Sequence, residues 1–189
     1  VVTVLIYGSD SDTLVADALL AFCRALGASA VCVDAESVRS VPSDPGECDF
    51  LIIDGAGKRK IDISGGIAVF KSATSGNGLW TNAAARLPAG FTAVVEPDNV
   101  GAVGIIKALR LRTITCGLSQ ADTLTFSSID TASAVISLQR AVRSLYGGTI
   151  LPRDIPVSFV KEFGCYPLLA AAAVMLLCEM PFPDGGVEF

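Results

Sequence analysis

The sequence contains no histidine, and that absence removes the Ser-His-Asp triad, the Cys-His pair and the usual zinc sites from consideration. Any chemistry must then run on carboxylates, lysine, cysteine, a bound metal or the substrate itself. Positive charge is scarce as well: 14 Lys and Arg stand against 19 Asp and Glu, a formal net charge of −5. Phosphate backbones are bound through clustered Lys and Arg, so nucleic acid is not an expected partner. The six cysteines include no C-x-x-C pair and lack the dense spacing of a disulfide scaffold, which reads as reduced, mostly buried thiols. Long apolar runs are missing too. The longest, Leu168 to Cys178, is about half the length needed to cross a bilayer; it reads as a buried helix, and no membrane contact is expected. Val2 to Ile6 passes directly into Gly8-Ser9-Asp10 with no basic, then apolar, then small-residue leader, so this start reads as a strand of a cytoplasmic protein.

What is present is core. Apolar residues make up 51% of the 189 positions and charged residues 17%, enough to bury a sizeable interior, and one domain over 1–189 is expected. Its first part, 1–117, alternates short apolar strands with helical stretches, the pattern of a parallel sheet covered by helices. The expected strands are Thr3 to Tyr7, Ala30 to Val33, Phe50 to Ile53, Ile67 to Phe70, Thr92 to Val95 and Thr113 to Cys116. The first helix runs from a cap at Asp12 or Thr13, through apolar positions Leu14, Val15, Ala18, Leu19, Phe22 and Leu26, to Gly27. Further helices are expected near Leu79 to Leu87 and over Asn99 to Leu109. Residues 35–49, with Pro42, Pro45 and Gly46, read as a loop or short helix. In the second part, 118–189, Thr123 to Ile129 and Ser133 to Val142 suit an antiparallel hairpin about Asp130-Thr131. A tight turn at Tyr146-Gly147-Gly148, a strand near Ile155 to Val160 and the alanine-rich helix Pro167 to Cys178 follow. The fold class is therefore α/β: a mostly parallel, Rossmann-like sheet with flanking helices, extended by an antiparallel ribbon and a last helix.

The most informative segment is Gly8-Ser9-Asp10-Ser11-Asp12-Thr13, which joins the first strand to the first helix. Backbone N–H groups and a helix N-terminus at such a turn create an anion site. A phosphate-binding loop adds a lysine that reaches the β and γ phosphates, then a hydroxyl that holds Mg²⁺. Here Asp12 stands in the lysine's place and only Thr13 remains. The turn therefore reads either as a capped, acid-started helix or as a site where Asp10 and Asp12 hold a metal or ligand hydroxyls. Asp54 ends the third strand at the carboxyl edge where open α/β sheets bind ligands. The loop after it, Lys58-Arg59-Lys60, is the best supplier of counter-charge to a bound anion, or else a solvated surface loop. Cys165, ahead of the last helix, is the one cysteine placed for activation by a helix start; Cys23, Cys116 and Cys178 lie on apolar faces. Trp80 and Phe91 lack the aromatic company of a base-stacking platform.

Read along its length, the chain resembles the central, ATP-binding domain of the Mur ligases, which add amino acids to the peptidoglycan precursor. That family's strand, G-T-N-G-K-T/S loop and helix are similar to Val4 to Tyr7 followed by Gly8 to Thr13. Its N-x-D-D segment resembles Glu96-Pro97-Asp98-Asn99. Its strand ending in glycine and the following Ala-Asp pair resemble Ile114 to Gly117 and Ala121-Asp122. Its strand, loop and alanine-rich helix resemble Ile155-Pro156-Val157 through Ala170 to Ala173. The departures are Asp12 in place of the phosphate-binding lysine, and Gly164-Cys165-Tyr166 where the family carries a histidine and an asparagine. With Phe189 as the last residue, no C-terminal ligase domain is expected. Locally, Gly8 to Asp12 also resembles the G-S-x-S-D loop of the aminoimidazole ribonucleotide carboxylases and mutases, over about the first 35 residues. The resemblance implies a ligase-like domain without ATP chemistry, serving as a binding or regulatory module. No catalytic residue, metal or cofactor is expected, and the partner is a protein or a small phosphorylated ligand, with a homodimer in view. The alternative is a small nucleotide- or sugar-phosphate-converting enzyme that uses the Gly8 to Thr13 loop.

Overall fold

The first strand shows how the sheet is built. In β1 (Val2–Tyr7), Val4 and Ile6 enter one hydrophobic cluster and Leu5 and Tyr7 another, because successive side chains of a strand point to opposite faces. A strand buried on both faces has to be central. In the computed structural model, which describes residues 1–34, 37–41, 48–58, 61–72, 87, 90–161 and 163–189, β1 is indeed the middle of a seven-stranded sheet.

The other members are β2 (Ala30–Val33), β3 (Val38–Val41), β4 (Phe50–Asp54), β5 (Gly65–Phe70), β6 (Gly90–Val95) and β7 (Arg112–Thr115). They lie in the order β3-β2-β4-β1-β5-β6-β7. All neighbours are parallel except β2 and β3. The antiparallel edge strand β3 corrects the loop or short helix expected over 35–49 for its described residues. Only Val41 of this strand is buried, so it lacks the apolar run that marks the central strands. The helix expected near 79–87 lies, but for Leu87, outside the described residues.

On one face of the sheet, α1 (Leu14–Ala25) packs against α3 (Cys165–Leu177). Every residue of α3 from Tyr166 to Leu177 is buried, because a second sheet covers its far side. That sheet has the order β13-β12-β9-β8, formed by β8 (Leu124–Ile129), β9 (Ser133–Leu138), β12 (Arg153–Ser158) and β13 (Val187–Glu188). Its inward residues Ile136, Leu138, Ile155 and Val157 share the α1–α3 cluster. A helix buried all round needs no polar stripe, which is why residues 168–178 are apolar at every position. Between β9 and β12, β10 (Val142–Arg143) and β11 (Thr149–Ile150) form a small antiparallel ribbon.

On the opposite face lies α2 (Val100–Leu109), whose first turn is capped by the Asn99 side chain accepting the Ala102 N–H at 3.1 Å. It ends at Arg110, which takes the left-handed conformation with φ 54°. Asn99 and Arg110 thus close both ends of this helix, and Ala102, Ile105 and Ile106 join Leu5, Phe70 and Val95 beneath it. The outcome is the mixed α/β architecture read from the sequence, with β13 as an addition: two residues pairing parallel to β12. No described helix is long and apolar enough to cross a membrane.

Candidate functional site

The turn from β1 to α1 sits at the carboxyl edge of the sheet, between the ends of β4 and β5, which flank β1. Each flanking strand delivers one charge there. β4 ends on Asp54 and β5 runs into Lys71, whose N–H donates to the Tyr7 carbonyl at 2.9 Å. Both side chains are almost fully enclosed, Lys71 at 1% and Asp54 at 2% exposure.

The Lys71 ammonium lies inside the turn. Its Nζ donates to the Ser9 carbonyl at 2.8 Å, to the Asp12 carbonyl, and to Asp54 Oδ1 at 2.7 Å. An ammonium has three protons to donate, and these three oxygens account for all of them. The stem reaches this position past Gly8: a Cβ there would lie 2.7–2.9 Å from Lys71 Cβ, Cγ and Cδ. Gly8 also has φ +152°, so the turn needs glycine for its backbone and for the lysine's passage. The Lys71 backbone is fixed from the other side by Asn99, whose Nδ2 donates to the Lys71 carbonyl at 2.8 Å.

Asp54 Oδ1 accepts a second hydrogen bond from the Gly55 N–H at 2.8 Å, while Oδ2 is buried with no hydrogen-bond partner among the described residues. Burial lifts the Asp54 carboxyl above the ordinary carboxylate range; hydrogen bonding and charge from Lys71 and the Gly55 N–H pull it down, and the Asp10 charge adds to the rise. Asp10 lies over Gly55, its Oδ1 3.0 Å from where a Cβ of that residue would stand.

The remaining turn residues serve the start of α1. Asp12 Oδ1 accepts the Leu14 N–H at 3.1 Å, so the chain's own carboxylate stands at the helix N-terminus. Ser9 and Ser11 share a hydroxyl–hydroxyl hydrogen bond of 2.8 Å. Thr13 donates to Asp17 Oδ2 at 3.3 Å. The structure thus brings Gly8, Ser9, Asp10, Asp12 and Asp54 together around one buried ammonium, with Ser11 and Thr13 on the exposed side of the turn. Lys58 lies in a short 3-10 turn, Ala56–Lys58, and Arg59 and Lys60 lie outside the described residues. Sequence reasoning named that loop as counter-charge to a bound anion and did not single out Lys71, the cation that pairs with Asp54 among the described residues. The available signal was a single charged residue directly after the apolar run Ile67 to Phe70.

Farther along the same edge, a cleft of about 370 Å³ is lined by Glu96, Pro97, Asp98, Leu118 and Asp122 among others. Asp122 Oδ2 accepts the Ser119 N–H at 3.1 Å. Burial pushes the Cys23 and Cys178 thiols up to about 12, and Cys165 is exposed at the start of α3, beside an apolar cavity of about 190 Å³. Where the resembling family carries histidine and asparagine, Tyr166 points its hydroxyl at the sheet and donates to the carbonyls of Phe70 at 2.5 Å and Val94 at 3.3 Å. No group of three or more Cys, Asp or Glu side chains that could hold a metal occurs among the described residues.

The chain thus combines a mostly parallel sheet with a glycine turn after its central strand, an antiparallel sheet and a fully buried helix between them. Solved structures confirm the fold. A Yersinia pestis bifunctional folylpolyglutamate synthase/dihydrofolate synthase, complexed with AMPPNP and Mn ion, superposes with a TM-score of 0.60 at 13% identity over 97% of this chain. A UDP-N-acetylmuramoyl-L-alanyl-D-glutamate–2,6-diaminopimelate ligase does so with a TM-score of 0.60, 12% identity and 95% coverage. The UDP-N-acetylmuramate:L-alanyl-gamma-D-glutamyl-meso-diaminopimelate ligase of Neisseria meningitidis gives a TM-score of 0.57, 11% identity and 98% coverage. This chain spans 55%, 44% and 62% of those chains, respectively. No protein-family model and no curated protein matches the sequence. The chain therefore has a Mur ligase-like fold, the fold of the central domain in these ligases and synthases.

Proposed function

We propose that this chain is a Mur ligase-like domain that binds no nucleotide at its β1–α1 turn and acts as a binding or regulatory module. One observation carries the reading: the Lys71 ammonium fills the turn from within, held by Ser9, Asp12 and Asp54. A phosphate needs the backbone N–H groups of such a turn and of the helix start. Here carbonyl oxygens face inward, and Asp12 already takes the Leu14 N–H. A triphosphate would meet the Asp12 carboxylate at the helix start and, behind it, a Lys71 ammonium already paired with Asp54. The residues present do not fit Mg-ATP, and no reaction step is assigned to it. The same geometry weighs against the G-S-x-S-D enzyme reading, since Ser9 and Ser11 satisfy each other and Asp12 caps the helix.

Isothermal titration of the protein with Mg-ATP, Mg-ADP, aminoimidazole ribonucleotide and UDP-sugar precursors tests this. No saturable heat is expected at millimolar ligand. One-site binding of Mg-ATP would overturn the non-nucleotide reading; one-site binding of the ribonucleotide alone would favour the small-enzyme alternative.

A further inference from the structure

Resting on that reading, we infer that the β1–α1 turn is a site of inverted polarity, a cradle for a primary ammonium whose resident ligand is the chain's own Lys71. Three oxygens from two elements converge on one Nζ: the Ser9 and Asp12 carbonyls of the turn and Asp54 Oδ1 of β4. Three acceptors match the three protons of R–NH₃⁺, whereas an anion would need donors in their place. The turn's outer charge has the same sign preference. Asp12 neutralises the helix N-terminus, and Asp10 lies over the Gly55 turn close enough to act on Asp54. Asp54 Oδ2, buried and without a hydrogen-bond partner among the described residues, leaves further acceptor capacity beside the ammonium. The ligand class of the turn is thus a primary amine, and phosphate is excluded by the direction of the backbone rather than by the missing lysine alone.

Chemical rescue tests it. Lys71→Ala removes the three methylenes beyond Cβ and the ammonium, which together correspond to n-propylammonium. The variant's melting temperature should rise with n-propylammonium chloride and saturate, by on the order of 3–6 °C at ten times Kd. Tetramethylammonium chloride at equal ionic strength, inorganic phosphate and Mg-ATP should give no such rise. If Lys71→Ala does not fold alone, its refolding yield with and without n-propylammonium reads the same quantity. The double variant Lys71→Ala/Asp54→Asn should lose the response. A rise with phosphate or Mg-ATP, or an n-propylammonium effect no larger than that of tetramethylammonium, overturns the inverted-polarity assignment. Nucleotide binding by the unmodified protein overturns the non-nucleotide reading instead, so the two failures are told apart.

Discussion

A buried lysine is costly unless every proton is used and its charge is matched. Lys71 meets both conditions through partners on the turn and on β4. Removing one member of such a pair leaves the other charge buried alone, which costs about 3–5 kcal/mol. Lys71→Met, which keeps most of the volume, should therefore destabilise the protein by about that amount in urea titrations. Lys71→Met/Asp54→Asn should be less destabilised than the sum of its single changes; additivity would mean that the pair is not coupled. Gly8→Ala should cost about 1–3 kcal/mol, because its Cβ would overlap the Lys71 stem in a tightly packed place. Asp54 and the Gly8 to Thr13 turn were legible in the sequence because a charge at the end of an apolar strand and a glycine at a strand–helix junction are local signals. The partner was not, since no spacing rule links residue 71 to residue 9. It emerges only when β5 is placed beside β1.

At the level of elements, α1 is tied to its surroundings through Asp17. This carboxylate receives Arg39 of β3 at 2.5 Å and Lys161, beyond β12, at 3.0 Å. Burial works to raise its pKa, but the hydrogen bonds and charges of Lys161 and Arg39 outweigh it, and the pKa is lowered overall. A lowered folded-state pKa contributes stability that is present above the unfolded carboxylate value and lost as pH falls through the folded one. Thermal denaturation from pH 6 down to pH 3 should show a loss of stability that Asp17→Asn reduces; equal acid sensitivity in both proteins would remove Asp17 from the account. In α3, Leu169→Ala should cost about 2–5 kcal/mol, since the residue is fully buried in the layer between the two sheets. A loss below about 1 kcal/mol in chemical denaturation would mean that this layer is loosely packed. The central strands, the first and last helices and the hairpin about Asp130-Thr131 were readable because each carries its own periodicity. β3 was not: with only Val41 buried and an antiparallel edge position, its sequence Val38-Arg39-Ser40-Val41 carries too short a pattern to distinguish it from a loop.

Across the whole molecule, the fold shared with the Yersinia pestis synthase carries here a turn with a buried ammonium held by three oxygens. Fold and site separate at this scale: the seven-stranded sheet needs only alternating apolar strands, while the chemistry of its carboxyl edge depends on a few side chains that can change without disturbing the core. The resemblance in fold to the ligases was therefore visible in the order of elements. The place of Lys71 inside the turn required the assembled sheet. The most direct test of the central claim is the ammonium itself. A lysine Nζ locked in three hydrogen bonds away from water exchanges its protons slowly, so ¹⁵N-resolved proton spectra of lysine-labelled protein should show a Lys71 NH₃⁺ resonance, identified by its loss in Lys71→Ala. This resonance should be present and unchanged when millimolar Mg-ATP is added. Its absence, or its displacement on titration with Mg-ATP, would show that the turn is open to a nucleotide and contradict the account.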